Sequence, residues 1–140
     1  MTGEQNKAFM RRFLEASAKD DMAAYRELMS PEIVAHIPGG TVNREVFLQH
    51  NNVFNVAFSG RQITVEDLTT EEDKVVARVT WQGNHTGDFQ GLPPTGKQVV
   101  ISAFIVERVK DGKSVEHWSL FDRLSMMQQL GLVPPPQASR

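Results

Sequence analysis

The feature that most constrains this chain is a change of apolar period at Gly60. Before that glycine, apolar residues recur every three to four positions, the spacing of a helix face. After it they alternate, the spacing of strands. The chain therefore builds helices first and a sheet second. Phe9 and Phe13 form one row of a helix over residues 4–19, and Met10 and Leu14 form the next. Asp20 or Asp21 suits the N-cap of a second, short helix over residues 22–29. Ser30-Pro31 stops that helix, because the residue before proline avoids the α region. A short strand over residues 33–37 runs into the turn Pro38-Gly39-Gly40, and Asn43 suits the cap of a third helix over residues 44–58.

Four longer strands follow, over residues 61–70, 74–85, 98–109 and 114–122. Between the second and third of these lies a loop over residues 86–97, rich in glycine and proline. Asp111-Gly112 marks the hairpin turn between the last two. The strand over residues 98–109 is apolar on both faces, which predicts that both are covered. A final helix over residues 123–130 ends at Gly131, in the place of a C′ glycine. Helices segregated from a mostly antiparallel sheet make an α+β domain, and a curved sheet of this size leaves a pocket beneath its helices. One domain over residues 1–140 is expected, with an ordered core over about 5–132 and a loose tail over 133–140.

Composition narrows the function. Fifteen basic residues face seventeen acidic ones, so neither nucleic acid nor a membrane is an expected partner. The chain has no cysteine, which removes disulfides, thiol catalysis and cysteine metal sites and fits a cytoplasmic setting. The start lacks the apolar segment of a secretory signal. Phosphate-loop, dinucleotide and nucleophile-elbow patterns are all missing. The four histidines, His36, His50, His85 and His117, form no metal-ligand spacing, and no metal is expected.

The polar residues that remain are few. Alternation through residues 114–122 puts Val115, His117, Ser119 and Phe121 on one face of a strand. If that face lines the pocket, His117 can move a proton near neutral pH; otherwise it is a half-buried histidine bonded to a backbone carbonyl. Asp122 stands before the last helix, as its cap or as a second acid. His85 shares the parity of Val79 and Trp81 and opens the Gly/Pro loop. Asn51 interrupts the stripe of Phe47, Phe54 and Phe58, and must meet either a ligand or a neighbouring element. His36 is open in the same way. Trp81, Phe104 and Phe121 are core residues or the wall of a ligand site.

Two segments, 83-GNHTGDFQGLPPTGKQV-99 and 111-DGKSVEHWSLFDRLSMMQQLG-131, together resemble the SnoaL-like polyketide cyclase (ester cyclase) family, and 31-PEIVAHIPGG-40 is compatible with it. The resemblance spans roughly residues 5–132. It implies the cone-shaped α+β barrel of the nuclear transport factor two superfamily, with a curved sheet around an internal pocket. It also implies a cofactor-independent intramolecular aldol reaction run by a carboxylate, and association as a homodimer or higher oligomer. The family's carboxylate belongs to an H-x-D step; here that step is His117-Trp118-Ser119, so a serine replaces the acid. Ala103 and Ile105 stand where the polyketide cyclases place a glutamine and a histidine.

The resulting expectation is proton-transfer chemistry on a small apolar carbonyl compound: cyclisation, isomerisation or dehydration. His117 is its proton-transfer residue, His85 the partner, and Ser119 and Asn51 the groups that bind substrate oxygen. A non-catalytic pocket for a small apolar ligand is the alternative, motivated by the missing carboxylate. A third reading is a dimerisation module whose pocket is filled by Trp81, Phe104 and Phe121.

Overall fold

The computed structural model describes residues 2–136; the expected loose tail lies partly outside these, at residues 137–140. Helices α1 (Gly3–Ala18) and α2 (Met22–Glu27) open the chain, followed by strands β1 (Met29–Ile37) and β2 (Gly40–Val42). Helix α3 (Arg44–Ala57) precedes the long strands β3 (Phe58–Glu71), β4 (Lys74–His85), β5 (Gln98–Lys110) and β6 (Lys113–Phe121). Helix α4 (Arg123–Gln129) closes the fold. The capping aspartates and asparagine act as expected: Asp21, Asn43 and Asp122 each accept from a backbone N–H in the first turn of the helix that follows. At Asp111 and Gly112, φ values of 52° and 77° give the left-handed pair that a two-residue hairpin turn requires.

The six strands form one sheet in the order β2-β1-β6-β5-β4-β3. All neighbours are antiparallel except β1 and β6, which are parallel. The sheet stays open between β2 and β3, so the barrel is a curved sheet completed by helices. Strand β2 has no counterpart in the sequence reading: the glycines of the Pro38-Gly39-Gly40 turn lead directly into a three-residue return strand.

Two apolar clusters fill the concave side. The larger joins Phe9, Met10, Phe13 and Leu14 of α1 to Tyr25, Ile33, Phe47 and the inward row Val75, Ala77 and Val79 of β4. The smaller joins Ala57, Phe58, Phe89, Val99, Ile101, Met126 and Leu130 at the end of the cone nearest α4. The loop between β4 and β5 is docked on this second cluster. The N–H groups of Thr86 and Gly87 both reach the Ala57 carbonyl, at 3.1 and 3.0 Å. Gly87 is needed there, since a Cβ would lie 2.2 Å from the Val56 carbonyl oxygen.

Within a single chain the outer face of β5 and β6 is left uncovered. Phe104 is 53% exposed and Leu120 69% exposed, directly across from one another. Phe104 therefore neither belongs to the core nor borders the cavity, because its parity carries it away from Ala103 and Ile105.

Candidate active site

Between the sheet and the three N-terminal helices lies a cavity of about 130 Å³. Its wall is largely aromatic and aliphatic, with Phe13, Phe47, Phe54, Trp81 and Phe121 among the contributors. His117, Ser119, Asn51 and His50 supply polar groups. Ile105 lies across from Ser119 and Ala103 across from Phe121.

His117 is 3% exposed and sits on the inward face of β6. Ala35 flanks it on the β1 side and Glu107 on the β5 side. Phe47 packs on its ring at 4.3 Å between centroids, and Phe13 lies at 6.0 Å. Its Nδ1 is hydrogen-bonded to Glu107 Oε2, and the other carboxylate oxygen accepts from Ser114 Oγ at 2.6 Å. Glu107 is wholly buried. Burial raises its proton affinity above the ordinary carboxylate value of 4.5, while its bonds to His117 and Ser114 oppose the rise. The second ring nitrogen of His117, Nε2, is buried without a partner among the described residues.

This pair behaves as one acid-base unit. With Glu107 ionised and Nδ1–H donating to it, Nε2 carries a lone pair and the pair has one negative charge. One added proton makes the pair neutral overall. By accepting from Nδ1–H, Glu107 fixes which imidazole nitrogen is free.

A β-bulge creates the arrangement. The hairpin starts with Lys110 across from Lys113 and Val109 across from Ser114, then slips so that Arg108 lies across from Glu116 and Glu107 across from His117. The extra residue lets Ser114 and His117 both turn inward, onto the two oxygens of one carboxylate. The simple alternation through Val115 is thus broken.

Other groups tune the cavity. Asn51 accepts from Ser17 Oγ of α1 at 2.9 Å, and its Nδ2 is buried without a partner. His50 is held below the ordinary 6.5, first by burial and then by the charges of Arg123 and His117. The Tyr25 phenol is pushed up by burial and by the nearby Glu107, and so stays a proton donor.

Besides Phe104, three candidate residues lie elsewhere. His85 is buried in the second cluster against Phe58 and Phe89. Its Nδ1 accepts from the Thr95 N–H at 3.1 Å and meets Thr95 Oγ1 at 2.9 Å. The lone pair it would need as a base is spent on holding the loop. Asp122 Oδ1 accepts from the Ser125 N–H at 3.0 Å as the cap of α4, and Asp122 does not border the cavity. His36 points from the outer face, where Nε2 meets Glu116 at 2.8 Å and the ring stacks on Trp118 at 5.3 Å. The structure therefore gathers His117, Ser119, Asn51, Trp81 and Phe121 at one cavity and separates His85, Asp122, His36 and Phe104 from it.

Glu107 is the functional residue that sequence reasoning missed. It shares the parity of Val99, Ile101, Ala103 and Ile105, so an inward carboxylate was visible as a break in an apolar row. Among the described residues, no group of three or more His, Asp or Glu is placed to hold a metal ion. No described helix is long and apolar enough to cross a membrane.

A helix-covered, curved sheet around an apolar cavity with an internal acid-base pair defines the class. The chain belongs to the SnoaL-like polyketide cyclase family, whose model matches residues 7–130. Two curated relatives are each 30% identical over 129 residues: the aklanonic acid methyl ester cyclases DauD of Streptomyces sp. (strain C5) and DnrD of Streptomyces peucetius. The alignments cover 87% of this chain, with 79% of DauD and 88% of DnrD. Among solved structures, AclR from Streptomyces galilaeus, provisionally described as a hydroxylase, superposes with a TM-score of 0.90 at 28% identity. That match covers 97% of this chain and 87% of AclR.

Proposed function

We propose that this protein is a cofactor-independent cyclase-type enzyme that moves protons on an apolar, polyketide-like carbonyl compound. The observation that carries the proposal is the His117–Glu107 pair, with Nδ1 held by a buried carboxylate and Nε2 left unpaired in a residue that borders the cavity. Nε2 takes a proton from carbon next to a substrate carbonyl. The electron pair moves onto the carbonyl oxygen, where Asn51 Nδ2 and Ser119 Oγ donate hydrogen bonds. In a cyclisation, the enolate carbon then bonds to a second carbonyl carbon of the same molecule, and the new alkoxide recovers the proton from Nε2. Isomerisation and dehydration use the same first step. Glu107 is a positioning residue: it acts through the imidazole and does not itself touch substrate.

The carboxylate that the family keeps in its H-x-D step is in this reading replaced by one on the neighbouring strand, behind the histidine. Screening aromatic and polyketide-type ketones for exchange of the α-proton with solvent deuterium tests it. His117→Ala should lower exchange by roughly 10²–10⁴-fold. Exchange unchanged in that variant would refute the assignment. The alternative of a pure binding protein is favoured by Ser119 at the acid position; a ligand that binds and never exchanges or cyclises would establish it.

The outer sheet face supports association of two copies. Phe104 and Leu120 form an exposed apolar pair, and Val100 on the same face is 42% exposed. In the proposed homodimer these strands face the same surface of a second copy.

A further inference from the structure

Arg61 borders the cavity and makes no salt bridge among the described residues. Arg61 borders both the cavity and a shallow surface groove that includes Arg11 and Lys19, so it stands where the cavity meets the surface. Its Nη1 is fixed to backbone carbonyls at the end of α3, those of Asn55 at 3.0 Å and of Phe58. Its Nε is buried and unpaired. Among the described residues Nη2 makes no hydrogen bond either. The free edge of the guanidinium, Nε with Nη2, is the fork that matches a carboxylate in two parallel bonds. The carboxylate of Asp20 accepts from Asn55 Nδ2 at 2.9 Å and makes no pair with Arg61.

Helix α3 measures the distance from this fork to the reacting end. Phe47 packs on His117, and Asn51 and Asn55 follow it at one-turn intervals on the same face. At 1.5 Å per residue, Asn55 and the fork fixed to its carbonyl lie about 12 Å along the helix from the level of His117.

We propose that Arg61 recognises an anionic end of the substrate. The substrate class is then an apolar ring compound with an activated C–H beside a carbonyl at one end and a carboxylate about 12 Å away by the helix rise. Such an acid would differ from the methyl ester named for DauD and DnrD. The inference rests on the proposed function in taking this cavity as the substrate's and His117 as its reacting end.

The probes are 4′-acetylbiphenyl-4-carboxylate and its methyl ester, whose acetyl and carboxyl groups lie at opposite ends of a rigid apolar body. Affinity is measured by calorimetry, and exchange of the acetyl methyl protons in D₂O by NMR. Wild type should bind the acid roughly tenfold or more tightly than the ester, as expected of a charge-assisted pair. Arg61→Gln should bring the two within about twofold, and Arg61→Lys, which keeps the charge, should retain part of the preference. Equal affinity in wild type, a preference that survives Arg61→Gln in folded protein, or no binding of the acid would overturn the inference. Exchange without an acid preference overturns this inference alone. An acid preference without exchange leaves it standing and counts against the proton-transfer reading.

Discussion

Replacing Glu107 by glutamine separates its charge from its shape. In the folded chain the carboxyl is wholly buried and holds its proton more tightly than an ordinary carboxylate, which titrates near 4.5. Between that value and its higher folded value, the folded state binds more protons at this site than the unfolded state does. Stability from this group is therefore fully present below 4.5 and is lost as pH rises through the folded value, by at most about 1.4 kcal/mol per pH unit for one proton. Glutamine does not titrate. Stability of Glu107→Gln relative to wild type should thus rise with pH across the window above 4.5. Urea unfolding from pH 4.5 to 7.5, followed by tryptophan fluorescence, reads the difference directly.

Glu107→Ala goes further. It leaves His117 Nδ1 without its partner and opens a void, while Ser114 Oγ keeps the Glu116 carbonyl as acceptor at 3.2 Å; a total of about 3–5 kcal/mol is expected for the broken buried pair. Parallel pH curves for wild type and Glu107→Gln, together with a loss below about 1 kcal/mol in Glu107→Ala, would refute the account of the pair. The same charge acts on turnover. Without it the tautomer and orientation of the His117 imidazole are no longer fixed, so turnover should fall in Glu107→Gln.

His85→Ala should destabilise by about 2–3 kcal/mol through lost packing and lost bonds to Thr95, and limited proteolysis should cut faster within residues 86–97. Asp122→Ala should cost about 1 kcal/mol as a lost helix cap and leave the pH profile of turnover unchanged; a lost limb would make Asp122 a reacting group. Phe104→Glu should turn a dimer into a monomer in light scattering, without loss of fold; a wild-type monomer at high concentration would remove the proposed interface.

How much was legible depended on the range of the interaction. The helix starts were readable because their causes are local: Asn43 and Asp122 sit next to the N–H groups they satisfy. The end of α2 was not, since it stops at Glu27 and β1 already runs from Met29 through Ser30-Pro31. Strand parity was readable for the same reason, and it placed His117, Ser119 and Phe121 together on the cavity. One residue with the right parity still misled. His85 does point inward, but into a second cluster where Thr95, ten positions along, takes its lone pair. Which of two clusters an inward side chain enters is set by how α3 and the loop dock, and no period records that.

The decisive residue shows where pattern stops. From the Asp111-Gly112 turn, an unbroken hairpin that pairs Lys110 with Lys113 would put Glu107 across from Glu116. Two carboxylates would then repel across the sheet, and His117 would have no charged neighbour. The one-residue bulge moves Glu107 to His117 and lets Glu116 face outward, where His36 and then Arg108 hold it ionised below the ordinary carboxylate range. The slip thus gives each acid an opposite partner, and it places a histidine of an apolar strand in a buried pair. A reading that treats an unexplained inward carboxylate as a demand for a cross-strand partner, and allows one bulge to meet it, reaches Glu107 and His117 from the sequence.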